Sequence, residues 1–258
     1  MDPSAYREMA ETEGRHWWFT ARREILSSLI DRLELPREAR IVEIGCGTGG
    51  NLEMLSAFGK VSAMETDDGA RAVAAEKTGG RFDLRPGRCP REIPFAARSF
   101  DLVCLLDVLE HIEEDLATLQ AVGALLAPGG HAVITVPAYR WMWSAHDEFL
   151  HHKRRYSAGE LRAKIAASGL RVTALSYFNT LLFPLAAMAR VKDRLMNRDR
   201  ASGTGVPARP LNSLLHRVFS AERFVVGRLP LPFGVSLLAV IGRSSARSAG
   251  SPIPARTR

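Results

Sequence analysis

The stretch that decides the fold runs from Ile41 to Leu55 and reads IVEIGCGTGGNLEML. Ile41, Val42 and Ile44 form a short apolar strand. Gly45-Cys46-Gly47-Thr48-Gly49-Gly50 follows as a glycine-rich turn, and a helix is predicted from about Asn51 to Phe58, with Gly59 as its stop. Such a turn lets the backbone approach a nucleotide ligand closely, and the following helix presents free N–H groups to it. Gly45, Gly47 and Gly50 also satisfy the spacing G-x-G-x-x-G, so a dinucleotide-binding reading stands beside the others at this point.

Glu43 lies two residues before the first glycine, where a dinucleotide site normally keeps an apolar side chain. A carboxylate there suits a cationic ligand. S-adenosylmethionine, with its sulfonium and α-amino group, is such a ligand, and a charge-assisted hydrogen bond to it is worth ~1.5–3 kcal/mol. Glu65 ends the second strand, Lys60–Glu65, and from there an acidic side chain can accept hydrogen bonds from both ribose hydroxyls. That position fits either cofactor.

Outward from this unit, strand and helix alternate. A single helix is predicted over residues 4–35 from the spacing of Trp17, Trp18, Ile25, Leu26, Leu29, Ile30 and Leu33, with Pro36 closing it. Helix 68–78 precedes a weak strand at Phe82–Arg85, and Phe100–Leu106 is the strongest buried-strand signal. Helix 113–126 stops at Pro128-Gly129-Gly130, before a strand at Ala132–Val136. Ser157 and Glu160 form a capping box that opens helix 158–168, Gly169 stops it, and Leu170–Leu175 is the sixth strand. This rhythm predicts an α/β doubly wound sheet, mostly parallel, with helices on both faces.

Residues 179–230 break the rhythm. They hold an apolar stretch at Leu181–Ala189 interrupted by Pro184, a loop-like run at Asn197–Pro210 and a helix near Leu211–Val226; Val235–Ile241 is the last strand. The expected division is an N-terminal helical cover at 1–36, a cofactor-binding core at 37–178, a basic and apolar helical insertion at 179–230, a final strand at 231–243 and a disordered tail at 244–258.

The net charge of +7 is uneven: residues 179–258 carry +10 and residues 1–178 carry −3. With 46% hydrophobic and 24% charged residues, a packed core is expected and a disordered chain is not. No window approaches the ~18 consecutive apolar residues of a bilayer span, and the start has no signal-peptide core. The expected location is the cytoplasm, with peripheral contact at the inner membrane face through 179–230, where Arg190, Lys192 and Arg194 flank the apolar run. Cys46, Cys89 and Cys104 show no paired spacing for zinc or redox chemistry and read as reduced apolar residues.

Four ordered segments carry a resemblance: IVEIGCGTGGNLEML, the strand ending AMETD, SFDLVCLLDVLEHIEED and the turn LAPGG. They resemble class I S-adenosylmethionine-dependent methyltransferases, especially the branch similar to ubiquinone-biosynthesis O-methyltransferases, over about residues 15–178 plus the final strand. The resemblance implies a seven-stranded sheet whose last strand is antiparallel, and S-adenosylmethionine as cofactor. It places Gly45, Gly47 and Gly49 at the methionine end, Glu65 at the ribose, and Leu106 and Asp107 beside the adenosine and sulfonium. His111 stands on the wall nearby, and Arg22 meets the cofactor carboxylate. The chain departs from the pattern at Arg88 and Cys89, because many relatives keep an acidic residue at the position of Arg88 for the adenine amino group.

Candidate bases for the acceptor are expected after strands four and five, at the carboxyl edge of the sheet, and the fullest set of candidates follows strand five. The densest polar and aromatic cluster lies there, from Tyr139 to Tyr156, and reads as a substrate lid. Tyr139, Trp141 and Trp143 are expected to wall a ring or an apolar chain, with His146 as base and Asp147 as its neighbour. His151, Arg155 and Tyr156 are counted with the acceptor site. No metal is expected, since the histidine spacing matches no strong ligand motif. HWWF at 16–19 and the run VPAYRWMWSAHDEFLHHKRRYS together resemble a subgroup of bacterial methyltransferases of cell-surface glycan or lipid pathways. The expected acceptor is therefore a small molecule, a glycan or a lipid-linked compound. An RNA methyltransferase is the competing reading from the basic C-terminal third; it lacks an Asn-Pro-Pro-Tyr-type motif and an appended RNA-binding domain, so nucleic acid is not the expected partner. A cofactor-binding module without catalysis is the remaining alternative.

Overall fold

A computed structural model of the protein describes residues 3–195 and 205–243. Its sheet is built around the most continuously apolar run, Phe100–Leu106, which becomes β4 and lies at the centre of seven strands. The other strands are β1 (Ala39–Ile44), β2 (Gly59–Glu65), β3 (Asp83–Pro86), β5 (Leu126–Pro137), β6 (Leu170–Phe178) and β7 (Ser236–Arg243). Their order is β3-β2-β1-β4-β5-β7-β6. β7 runs antiparallel to both of its neighbours, and the other pairings are parallel. The expected doubly wound sheet with an antiparallel last strand is thus observed.

Alternation along each strand sorts side chains into two cores. Val42, Ile44, Val103, Leu105, Ile134 and Val136 pack on one face with α5 (Asp115–Leu125) and α7 (Ala158–Ala167). Ile41, Leu102, Cys104, Val133, Leu238 and Val240 pack on the other with α2 (Trp17–Asp31) and α9 (Arg209–Ser220). The three cysteines are buried and free, in keeping with their reading as apolar residues.

The N-terminal cover is two helices rather than one. α1 (Pro3–Thr12) and α2 are separated at Gly14, and His16 caps α2 by accepting the Trp18 N–H at Nδ1, 3.2 Å. β5 also begins earlier than expected. Leu126 already pairs with Phe100, and Ala127–Gly130 form a bulge before Leu102 pairs with His131. Ser157 and Glu160 make the reciprocal capping box that the sequence predicts, and Gly169 ends α7 in the left-handed region. Pro184 does not interrupt the helix α8 (Phe183–Leu195). It sits in the first turn, where its missing N–H costs nothing.

The insertion is closed on itself and tied to the N-terminal cover. The amides of Asn179, Thr180 and Leu181 donate to the buried Glu222 carboxylate at 2.6–2.9 Å. α9 packs on α2, where Asn212 accepts the Trp17 N–H and donates to the Arg15 carbonyl. No helix among the described residues is long and apolar enough to cross a membrane. The tail expected at 244–258 lies outside the described residues.

Candidate active site

The strands reverse their winding between β1 and β4, so their carboxyl ends leave a crevice, as open α/β sheets do at such a switch point. A cavity of about 1010 Å³ opens there, and residues at the ends of β1, β2, β4 and β5 all line it. α1 and α2 cover one side, through Tyr6, Met9, Trp18 and Arg22.

The glycine turn forms one wall. Gly47 adopts φ +53°, and its amide donates to Glu65 Oε2 at 2.8 Å. The Glu65 Oε1 atom accepts from the amides of Thr66 and Asp67 at 2.8 and 3.0 Å, and Tyr6 hydrogen-bonds to the same carboxylate. Burial, followed by the charge of Glu65, pushes the Tyr6 hydroxyl far above its ordinary range. Gly45, Gly47, Glu65, Leu106, Asp107, His111 and Arg22 line the cavity together, as do Arg88 and Cys89.

Two of the residues expected here do not face it. Gly49 turns toward α4 (Asp68–Lys77), where an added Cβ would meet the Ala74 Cβ at 3.0 Å. Glu43 lies behind the turn, 1% exposed; one oxygen accepts from Asn51 Nδ2 at 2.7 Å and the other, Oε2, has no hydrogen-bond partner. Its strand direction explains this, because Glu43 shares the face of Ile41 and points toward α2. Burial pushes the Glu43 carboxyl up to about 8, against the opposing pull of Asn51 and Arg22.

Arg22 and Asp107 form an ion pair across the cavity floor. Asp107 is held at φ +59° and accepts from Thr135 Oγ1 at 3.0 Å; Arg22 lies 4.6 Å above the Trp18 ring. Arg22 Nε is buried without a partner, and burial lowers this guanidinium to about 10.

The other half of the cavity is walled by the segment after β5 and by α8. His146, Phe149, Leu150, His152, Arg190 and Asp193 line it. The expected pairing of His146 with Asp147 is not formed. Asp147 is fully buried and takes Arg155 in a bidentate bond at 2.8 and 3.0 Å, the Ser144 amide at 2.9 Å, and His152 Nδ1 at 2.9 Å. Burial works against its ionisation, yet the bonds from His152 and Arg155 hold it well below the usual carboxylate range. His146 Nδ1 is buried with no partner, and burial lowers that imidazole.

The aromatic residues expected to wall the acceptor also lie elsewhere. Tyr139 stacks on Tyr177 with ring centroids 5.1 Å apart, Trp141 stacks on Tyr139, and Trp143 Nε1 donates to Glu148 at 3.4 Å; none of the three lines the cavity. Tyr156 is buried and donates to Asp115 at 3.0 Å, so it belongs to the core. His151 sits at φ +56° and is exposed, which leaves the neighbouring His152 turned inward. Arg155 does line the cavity, with its fork spent on Asp147 and the Ala138 carbonyl.

Glu110 and His152, which pattern and spacing do not single out, form one cluster with His111. His152 Nε2 lies 4.0 Å from Glu110 Oε1, and the rings of His111 and His152 meet edge-to-face at 4.6 Å. Ligand atoms of Glu110, His111 and His152 fall within 4.8 Å of one another. Both Glu110 oxygens are buried without a hydrogen-bond partner, and burial pushes this carboxyl up to about 8. Burial also drives His111 down to about 3. Glu110 and His111 are adjacent in the sequence, but His152 lies far along the chain and only the fold brings it to them.

Comparison with known proteins agrees with this geometry. Residues 18–175 match the methyltransferase domain family. The ubiquinone biosynthesis O-methyltransferase of Xanthomonas axonopodis pv. citri is 28% identical over 180 residues, 63% of this chain and 74% of that protein. The enzyme of the same name from Aromatoleum aromaticum is 27% identical over 140 residues, and the match spans 50% of this chain and 60% of that protein's length. An S-adenosylmethionine dependent methyltransferase from Mesorhizobium loti shares the fold, with a TM-score of 0.53 at 17% identity, covering 83% of this chain and 95% of that one. The chain belongs to the methyltransferase domain family and is an S-adenosylmethionine-dependent methyltransferase.

Proposed function

We propose that the enzyme methylates a hydroxyl oxygen of a small-molecule, glycan or lipid-linked acceptor, and that His152, not His146, takes the proton. The observation that carries this reading is the Asp147–His152 bond at the cavity wall. With Nδ1–H donated to Asp147, the tautomer leaves Nε2 as the acceptor atom on the cavity side. The relatives named as O-methyltransferases support oxygen as the methylated atom.

The residues fit the cofactor. A 1010 Å³ cavity holds the turn amides, Glu65 at the end of β2, and Arg22 with a buried unpartnered Nε on its floor. When bound, S-adenosylmethionine supplies an activated methyl carbon. Arg22 is suited to a carboxylate, Glu65 to the ribose hydroxyls, and Asp107 to a cationic centre. His152 holds the acceptor hydroxyl and receives its proton as the oxygen takes the methyl group; the electron pair of the broken carbon–sulfur bond would stay on sulfur. Alignment of that oxygen supplies much of the rate, and a positioned base adds ~10²–10⁴-fold.

A second reading is favoured by the two unpartnered oxygens of buried Glu110. Glu110, His111 and His152 are a donor set for a divalent cation, with Asp147 orienting His152 from behind, and the cation would polarise the acceptor oxygen. Incubating the enzyme and isotopically labelled cofactor with fractionated extracts, and scanning by mass spectrometry for added CH₂, identifies the acceptor. His152→Gln should then lower turnover by about 10²–10⁴-fold with S-adenosylhomocysteine affinity unchanged. Unchanged turnover would remove His152 from the mechanism, and a chelator-sensitive rate restored by one divalent ion would favour the cation.

A further inference from the structure

The exposed large apolar side chains of this protein concentrate in one part of the chain. Leu181, Leu185 and Met188 are 55%, 61% and 68% exposed. With Lys192 they recur at the spacing of a single stripe that starts in the turn before α8, at Leu181, and runs along the helix. The opposite side of the helix is used: Leu182 is buried, and Arg190 and Asp193 line the cavity. The expected row of Arg190, Lys192 and Arg194 is therefore split, with Lys192 on the outside, Arg190 inside, and the side chain of Arg194 outside the described residues.

At the start of α8 the stripe runs into aromatic rings. Phe183 lies 5.6 Å from Phe233 and 6.2 Å from Trp141, and Phe233 and Trp141 are themselves 42% and 41% exposed. The exposed charges in this part of the chain have one sign. Among the described residues of 179–243, Lys192, Arg209, Arg217 and Arg228 are exposed, whereas the acids are Glu222, buried on three amides, and Asp193, half-buried beside Arg190.

We propose that this face docks on an anionic lipid bilayer, with the α8 stripe and the rings of Trp141 and Phe233 in the headgroup region and the cations toward lipid phosphates. An aliphatic stripe with interfacial aromatics and unopposed cations is the pattern by which helices lie in a membrane surface without spanning it. RNA would use the cations but leave the aliphatic stripe in water, and a second copy would bury the stripe against like charge. Because the inner side of α8 walls the cavity, docking would bring that wall beside the bilayer.

The test is co-sedimentation of the full chain with vesicles containing phosphatidylglycerol and with pure phosphatidylcholine vesicles, at low and high salt. Pelleting with the anionic vesicles at low salt, weakened by salt, is expected. Lys192→Glu should weaken partitioning roughly 10- to 30-fold, since two charge units are lost at ~1 kcal/mol each. Leu185→Glu with Met188→Glu should abolish it, and S-adenosylhomocysteine affinity in both variants should match the wild type, which shows that the fold and the cofactor site are intact. The proposal is overturned if anionic vesicles do not pellet the protein, or if the double variant pellets like the wild type. A dimer in sedimentation velocity that the double variant dissolves, without vesicle binding, would assign the face to a second copy. Salt-sensitive binding to bulk RNA without vesicle binding would assign it to nucleic acid.

Discussion

The two halves of the cavity are built differently. On the side of the glycine turn the lining groups are turn glycines and residues at strand ends, such as Gly47 and Glu65, whose places follow from β1, β2 and the turn between them. On the acceptor side they are side chains of one irregular segment, 139–156, held from within by the buried Asp147–Arg155 pair and closed at its base where Tyr139 and Tyr156 exchange backbone bonds with neighbouring residues. A strand fixes the direction of a side chain by alternation; an irregular segment fixes it by a few long-range bonds.

The largest break is expected on the cofactor side. Gly47 has φ +53° and faces the cavity, so Gly47→Arg both strains the turn and fills the space. S-adenosylhomocysteine binding measured by calorimetry should fall at least ~100-fold, the cost of roughly 3 kcal/mol of strain and lost contact. Affinity within threefold of the wild type would mean that the turn does not meet the cofactor.

A second effect, on stability rather than on binding, sharpens the place of Glu43. Its carboxyl sits at about 8 in the folded protein against 4.5 ordinarily, because it is buried. The folded state therefore holds a proton that the unfolded chain has released; the resulting stability is complete below about pH 4.5 and is lost as pH rises through about 8. Glu43→Gln keeps an oxygen for Asn51 and has no proton to lose. In cofactor-free protein it should remove that slope and leave the variant roughly 3–5 kcal/mol more stable than the wild type at pH 9. Parallel melting curves from pH 5 to 9 would show instead that Glu43 is ionised throughout.

The smallest effect is expected where the aromatic residues were read as a substrate wall. Trp143 points at Glu148 and away from the cavity. Trp143→Ala should change turnover less than about threefold, within the range usual for positions that touch neither substrate nor core. A tenfold loss would return Trp143 to the acceptor site.

Much of the fold could be read from local chemistry. Phe100–Leu106 is found at the predicted bounds, and the Ser157–Glu160 box and Gly169 frame α7, because buried strands and helix ends are set by their own residues. That the residues expected at the cofactor share one cavity was legible for the same reason, save for Glu43 and Gly49, whose directions depend on which sheet face and which helix lie behind them. The acceptor side was not. Adjacent His151 and His152 differ only in backbone conformation, outward at φ +56° and inward beside Asp147, and no periodicity announces that. Nor does spacing reveal that Tyr6, on a helix far ahead of the turn, reaches Glu65.

The placement of β7 has a consequence for the order in which the chain can fold. β5 and β6 follow one another in synthesis, yet neither pairs with the other: Ser236–Arg243 stands between them and bonds to both. Until those residues emerge from the ribosome, the inner edge of β5 and the whole of β6 have no strand partner, and an unpaired strand edge is a template for other chains. The insertion at 179–230 lengthens that interval. A nascent or truncated chain ending within it should therefore be aggregation-prone even though every residue of the glycine turn is already made, and the sheet closes in one late step when β7 slots between its two neighbours.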